Sequence, residues 1–135
     1  MRLFVYGVLR EGLGDWPFLA GLGPGLAATT TGTLFAIPDP EGWYPALLPG
    51  EGTITGAVHT CDGVDLAAVD AFEGADYARE TIPVWAQGEM ILADAYLWTA
   101  PLPAGVEPIA HGDFARWLAE TGRAPFAGRQ PNSRR

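Results

Sequence analysis

Glu73 is the carboxylate in this 135-residue chain whose setting departs most from that of a solvated side chain. It lies in the stretch LAAVDAFEGADYAR, residues 66–79. Helical spacing places Leu66, Val69 and Glu73 at i, i+3 and i+7, so the carboxylate shares a stripe with two aliphatic residues that face a core. Gly74 is suited to the left-handed conformation that ends a helix. Glu73 then falls in the last turn, beside unsatisfied carbonyls and the negative end of the dipole. Burial, the dipole and Asp70 one turn earlier each disfavour the ionised form. Each raises the pKa toward the range in which a carboxylate works as a general base or acid at neutral pH. The same residues also spell a solvated polar side chain before a helix-ending glycine, and on their own they leave both readings open.

The second stretch able to do chemistry is at the N-terminus. Leu3 to Tyr6 is an apolar run of strand formers, and Gly7 after it permits a turn in which the backbone approaches a ligand closely. A strand entering such a turn presents successive N–H groups to an anion or a developing oxyanion, and Arg10 adds a fork suited to a carboxylate. A plain strand end is the competing reading. Gly12 and Gly14 are followed neither by the Gly-Lys-Ser/Thr of a phosphate loop nor by a full dinucleotide fingerprint, so nucleotide binding is set aside. His59, on an alternating strand with no nucleophile nearby in sequence, reads as a packing or hydrogen-bonding residue.

The elements that must carry these residues are mostly short strands. Asp15 is placed to cap a short helix with Trp16 and Pro17 in its first turn, ended by Gly23-Pro24-Gly25. Leu26 to Ile37 and Trp43 to Leu48 read as adjacent strands around the turn residues 38–42. Pro49 to Gly52 reads as a further turn before the alternating run 54–60. Asp62 or Asp65 caps the central helix. Tyr77 to Trp85 is a strand in which Pro83 points to a sheet edge. Met90 to Trp98 is apolar enough to be central. Asp113 caps a last helix carrying Phe114, Trp117 and Leu118, ended by Gly122.

Composition narrows the class. The length fits one domain, assigned to residues 1–122, and 18 glycines with 12 prolines punctuate apolar runs in the manner of a β-rich fold. Residues 123–135 hold four of the eight arginines without a helical pattern and read as a tail, either folded against the acidic body or flexible, with the flexible reading favoured. Net charge is -8 without a single lysine, and residues 1–122 carry four arginines against 16 acidic residues, which argues against a nucleic-acid partner. One cysteine, Cys61, and two separated histidines make neither a disulfide nor a zinc pattern. The expectation is a cytoplasmic, metal-free protein that needs no cofactor and has no membrane segment. The sequence is silent on oligomeric state.

Four stretches taken together resemble the γ-glutamylcyclotransferase-like proteins across roughly residues 3–98: YGVLR at 6–10, GTLFAIPDPEGWYPAL at 32–47, GAVHT at 56–60 and VDAFEGADYAR at 69–79. The resemblance implies an α+β fold, a small mixed β-barrel with flanking short helices. It also implies an enzyme that cyclises a small γ-glutamyl compound to 5-oxoproline by attack of the substrate's own α-amine on the γ-carbonyl. By position, Glu73 corresponds to the family's catalytic glutamate. Tyr6, Gly7, Val8 and Leu9 form the substrate-receiving loop, Tyr77 borders the cavity, and Arg10 and Arg79 match basic positions. Val8 stands where a hydroxyl residue is usual, and only three residues separate Glu73 from Tyr77. The alternative is a barrel that binds a small molecule or a partner in the same cavity without turnover.

Overall fold

The computed structural model describes residues 1–10 and 16–127. Six strands and two helices follow in the order β1 (Arg2–Val5), β2 (Leu26–Asp39), β3 (Gly42–Thr60), α1 (Leu66–Glu73), β4 (Tyr77–Ala86), β5 (Glu89–Trp98), β6 (Glu107–Pro108) and α2 (Phe114–Thr121). Among the described residues between β1 and β2, a 3-10 turn, Pro17–Leu19, stands where a short helix is expected; the expected cap, Asp15, lies outside the described residues.

The sheet closes on itself. β3 pairs with β1, β1 with β5, β5 with β4, β4 with β2, and β2 returns to β3, so five strands make a barrel with β6 added to β2. Every pairing is antiparallel except β1 with β5, which meet in parallel at Leu3 and Asp94. The fold is thus a mixed β-barrel with two short helices, and closure removes the exposed edges of the five strands that form it.

Two strand expectations are corrected. Pro49 to Gly52 does not turn the chain: β3 runs unbroken from Gly42 to Thr60 alongside β2, and the register jumps from Gly32 opposite Gly52 to Thr33 opposite Leu48. The turn residues are absorbed as a bulge, which bends the ribbon enough for it to wrap the barrel. Nor is β4 an edge. It sits between β5 and β2, and where Pro83 cannot donate, its carbonyl accepts from the Thr30 hydroxyl at 2.8 Å.

The core is the barrel interior together with the inner faces of both helices, with Leu3, Phe4, Val69, Val84, Ala95 and Phe114 essentially inaccessible. Helix α1 starts where the Asp65 side chain accepts from Ala68 N at 3.2 Å. It ends at Gly74, whose φ of 86° comes with an extended ψ of -176° instead of the left-handed helical value. Few residues besides glycine reach that conformation, and it turns the chain directly into β4. Helix α2 has the expected Asp113 cap and a left-handed Gly122.

The chain does not leave the body at Gly122. Arg123 places its guanidinium 4.4 Å from the Trp43 ring centroid and 5.2 Å from that of Trp117, and it pairs with Glu107 at 2.6 Å. Phe126 is buried, and its N–H donates to Trp43 O at 2.7 Å. The expected flexible tail is therefore corrected for residues 123–127, which are fastened to β3; residues 128–135 lie outside the described residues.

Candidate active site

The end of β1 with the loop after it, the start of β3, the last turn of α1, the first residue of β4 and the end of β5 surround a cavity of about 180 Å³. The alternation of strand residues decides what reaches it. On β5, Tyr96 and Trp98 are two apart and point inward together, while Leu97 between them points away. Tyr44 and Pro45 of β3 form the facing wall.

The first loop is held by packing more than by its own hydrogen bonds. Arg10 N donates to Gly7 O at 3.0 Å and closes a tight turn. The Val8 carbonyl accepts from Trp16 Nε1 at 3.0 Å, which fastens the loop to the 3-10 segment. Gly7 has an ordinary negative φ. It is required for room, because a Cβ there would stand 2.4 Å from Pro45 Cγ. None of the turn and loop hydrogen bonds among the described residues uses the N–H of Gly7, Val8 or Leu9 as donor. Gly7, Val8 and Leu9 all line the cavity.

Glu73 faces the loop across the cavity. Loss of solvation on burial, and secondarily the Asp70 carboxylate, push its carboxyl up to about 8. No described side chain donates a hydrogen bond that would offset this. Tyr6 and Tyr77, raised above the ordinary phenol range chiefly by burial, stay protonated and act as donors. The Tyr6 hydroxyl donates to Tyr96 O, and that of Tyr77 donates to Pro45 O at 2.5 Å. The Tyr77 ring also meets Trp98 edge-on at 5.1 Å. The result is an aromatic enclosure containing a carboxyl poised to gain or lose a proton near neutrality.

The family model for γ-glutamyl cyclotransferase, AIG2-like, matches residues 3–116. The chain belongs to the AIG2-like γ-glutamyl cyclotransferase family. A relative from Escherichia coli K12, the γ-glutamylcyclotransferase family protein YtfP, is 35% identical over 122 residues, spanning 87% of this chain and 96% of its own. The solution structure of ytfP from Escherichia coli superimposes with a TM-score of 0.60 at 30% identity, covering 90% of this chain and 99% of that one. The crystal structure of an AIG2-like protein from mouse shares the fold, with a TM-score of 0.67 at 22% identity and 97% of each chain covered. The matched stretch contains all of the cavity lining except Phe126.

Of the residues singled out in this family member's sequence, Tyr6, Gly7, Val8, Leu9, Glu73 and Tyr77 come together around the cavity. Arg10 and Arg79 do not line it. Arg10 Nη1 pairs with Asp113 Oδ1 at 2.9 Å. Arg79 is shared between Asp70 at 2.9 Å and Asp94 at 2.7 Å. Val8, where the family usually has a hydroxyl residue, turns a largely buried side chain into the wall.

Sequence reasoning missed Tyr44, Pro45, Tyr96, Trp98 and Phe126. The first two stood inside the quoted GWYPAL segment, and the i, i+2 aromatics of β5 were a usable signal. Phe126 gave none, because it falls in a segment read from its arginines. Among the described residues no group of three or more His, Cys, Asp or Glu side chains gathers as a metal site, and no helix is long and apolar enough to cross a membrane.

Proposed function

We propose that the protein is a cyclotransferase that converts a small γ-glutamyl compound to 5-oxoproline and a free amine, with Glu73 as the proton-transfer group. The observation that carries this reading is a cavity lined both by Glu73 and by the loop residues Gly7, Val8 and Leu9. In its ionised form Glu73 takes a proton from the substrate's α-ammonium, and the amine nitrogen attacks the γ-carbonyl carbon of the same molecule. The N–C bond that forms closes the five-membered ring, and the carbonyl electron pair moves to oxygen, where the amides of Gly7 to Leu9 receive it. Collapse breaks the original amide bond as Glu73 returns its proton to the leaving nitrogen, and the second proton that the ring nitrogen sheds on becoming a lactam passes through Glu73 to the departing amine, which leaves as an ammonium. No water is consumed and the carboxylate is regenerated.

Attack within one molecule makes the catalytic demand largely geometric: the glutamyl chain must be folded so that amine and carbonyl meet. A compact enclosure of Tyr6, Tyr44, Tyr77, Tyr96 and Trp98 suits that task. The lining carries two carboxyls, Glu73 and Asp76, and no cationic side chain among the described residues. This favours a substrate whose departing half lacks a carboxylate, a γ-glutamyl amine over glutathione, because a second anion would meet an unscreened negative field.

The test is 5-oxoproline release from a panel of γ-glutamyl amines, γ-glutamyl amino acids and glutathione. Stoichiometric release of 5-oxoproline and amine, fastest with the amines, is expected. No release from any member, with thermal stabilisation by one of them, would replace this reading with a barrel that binds without turnover.

A further inference from the structure

Beneath Glu73 is a cluster of charged and polar groups of which Tyr96 alone lines the cavity, while Asp70, Arg79 and Asp94 do not. Asp70, one turn earlier on α1, receives Tyr96 Oη at 2.5 Å and Arg79 Nε at 2.9 Å on Oδ1, and Arg79 Nη2 at 3.3 Å on Oδ2. Arg79 Nη1 reaches on to Asp94 Oδ2 at 2.7 Å, and the other oxygen of Asp94 accepts the Thr81 hydroxyl at 2.7 Å. The main-chain oxygen of Tyr96 accepts the Tyr6 hydroxyl at the start of the first loop. A continuous hydrogen-bonded path thus joins that loop, β5, α1 and β4.

We propose that Asp70, Arg79 and Tyr96 are positioning residues for Glu73: they fix the last turn of α1 against the barrel wall and maintain a net negative charge one helical turn from the Glu73 carboxyl. The inference rests on Glu73 being the proton-transfer group. The eight-residue helix is too short to hold its own end rigid, and the glycine that follows adds no side-chain anchor. Its C-terminal turn is held by the buried Val69 side chain and by the Arg79 fork on Asp70, a geometry that a guanidinium fixes in direction as well as distance.

The charge count within the cluster matters equally. One guanidinium is divided between two carboxylates, Asp70 and Asp94, so the cluster keeps a net negative charge. Among the described residues the titratable groups around Glu73 are Asp70 on α1, Asp76 after it, Tyr77 and Arg79 on β4, Asp94 and Tyr96 on β5, Tyr44 on β3 and Tyr6 after β1. Arg79 is the only cation among them. Arg79 also holds Asp70 below its ordinary carboxylate range, so Asp70 remains charged while Glu73 titrates.

The test is a carbon-13 NMR titration of the Glu73 carboxyl in the full chain, a reading that does not depend on turnover. Asp70→Asn removes the nearby charge and keeps the shape, and is expected to lower the Glu73 midpoint by roughly half to one pH unit. Arg79→Gln removes the compensating cation, and is expected to move the midpoint upward by a similar amount. Arg79→Lys restores the charge and should return the midpoint close to that of the wild type. Shifts of opposite sign with rescue by lysine establish the role. If Asp70→Asn does not fold, the two Arg79 variants decide. An unmoved midpoint, shifts of one sign, or a lysine variant indistinguishable from the glutamine one would each overturn the proposal. Failure of the panel assay together with opposite shifts here would sink the cyclotransferase reading and leave the electrostatic coupling standing.

Discussion

Gly7 and Pro45 are packed so closely that a single methyl group on Gly7 would stand 2.4 Å from the proline ring. The contact joins the first loop to the β3 wall, and the carbonyl of the same proline accepts from Tyr77. Three sides of the cavity are thus referenced to one residue. Gly7→Ala is expected to cost about 1–3 kcal/mol by overpacking. Because the displaced atoms line the cavity, it should also lower kcat/KM by far more than the stability loss explains. Denaturant unfolding beside steady-state kinetics checks this, and a variant that loses stability but keeps full turnover would contradict the wall's role.

Glu73 also makes a prediction about stability alone. Its carboxyl is pushed from 4.5 in the unfolded chain up to about 8 in the fold. Between those values the folded state holds a proton that the unfolded state has released, so stability falls as pH rises through this window, by about 1.4 kcal/mol per unit at most. Below it both states are protonated, and above it the loss is complete. Glu73→Gln should therefore match the wild type near pH 4 and exceed it increasingly up to about pH 8. Melting curves across that range test this; a difference that stays flat with pH would show that the carboxyl is not desolvated.

The segment after Gly122 belongs to the body. Phe126 stacks edge-on against Tyr44 at 5.6 Å and meets Phe72 at 6.2 Å, beside Glu73. A chain ended after Ala127 keeps these contacts and serves as the reference. Ending it after Gly122 removes the buried Phe126 and the Arg123 clamp, and should cost about 3 kcal/mol or more. Equal melting temperatures for the two truncations would argue against the packing described here.

What could be read from the sequence follows the range of the forces involved. The Leu66, Val69, Glu73 spacing and the Gly74 stop are local, so the helix and the position of its last carboxylate were legible, as was the run from β1 into the first loop. The misread elements were decided at long range. Pro49 to Gly52 has every local mark of a turn, yet 14 residues of pairing with β2 carry the strand through it. Arg10 looks like a ligand fork until Asp113, 103 residues later, arrives to accept it. Arg79 likewise finds Asp94 only because β4 and β5 form a hairpin. Phe126 was hidden by the arginines around it, since composition describes a segment's average and burial is decided by one side chain.

The most direct test of Glu73 as the proton-transfer group is the pH dependence of 5-oxoproline release by the wild type and by Glu73→Gln. For the wild type, kcat/KM should rise about tenfold per pH unit and level off near pH 8, where the carboxyl becomes ionised. The glutamine variant should bind the same substrate and release no measurable 5-oxoproline at any pH. Turnover by that variant at a rate near that of the wild type, or a wild-type profile with no inflection tied to Glu73, would contradict the mechanism.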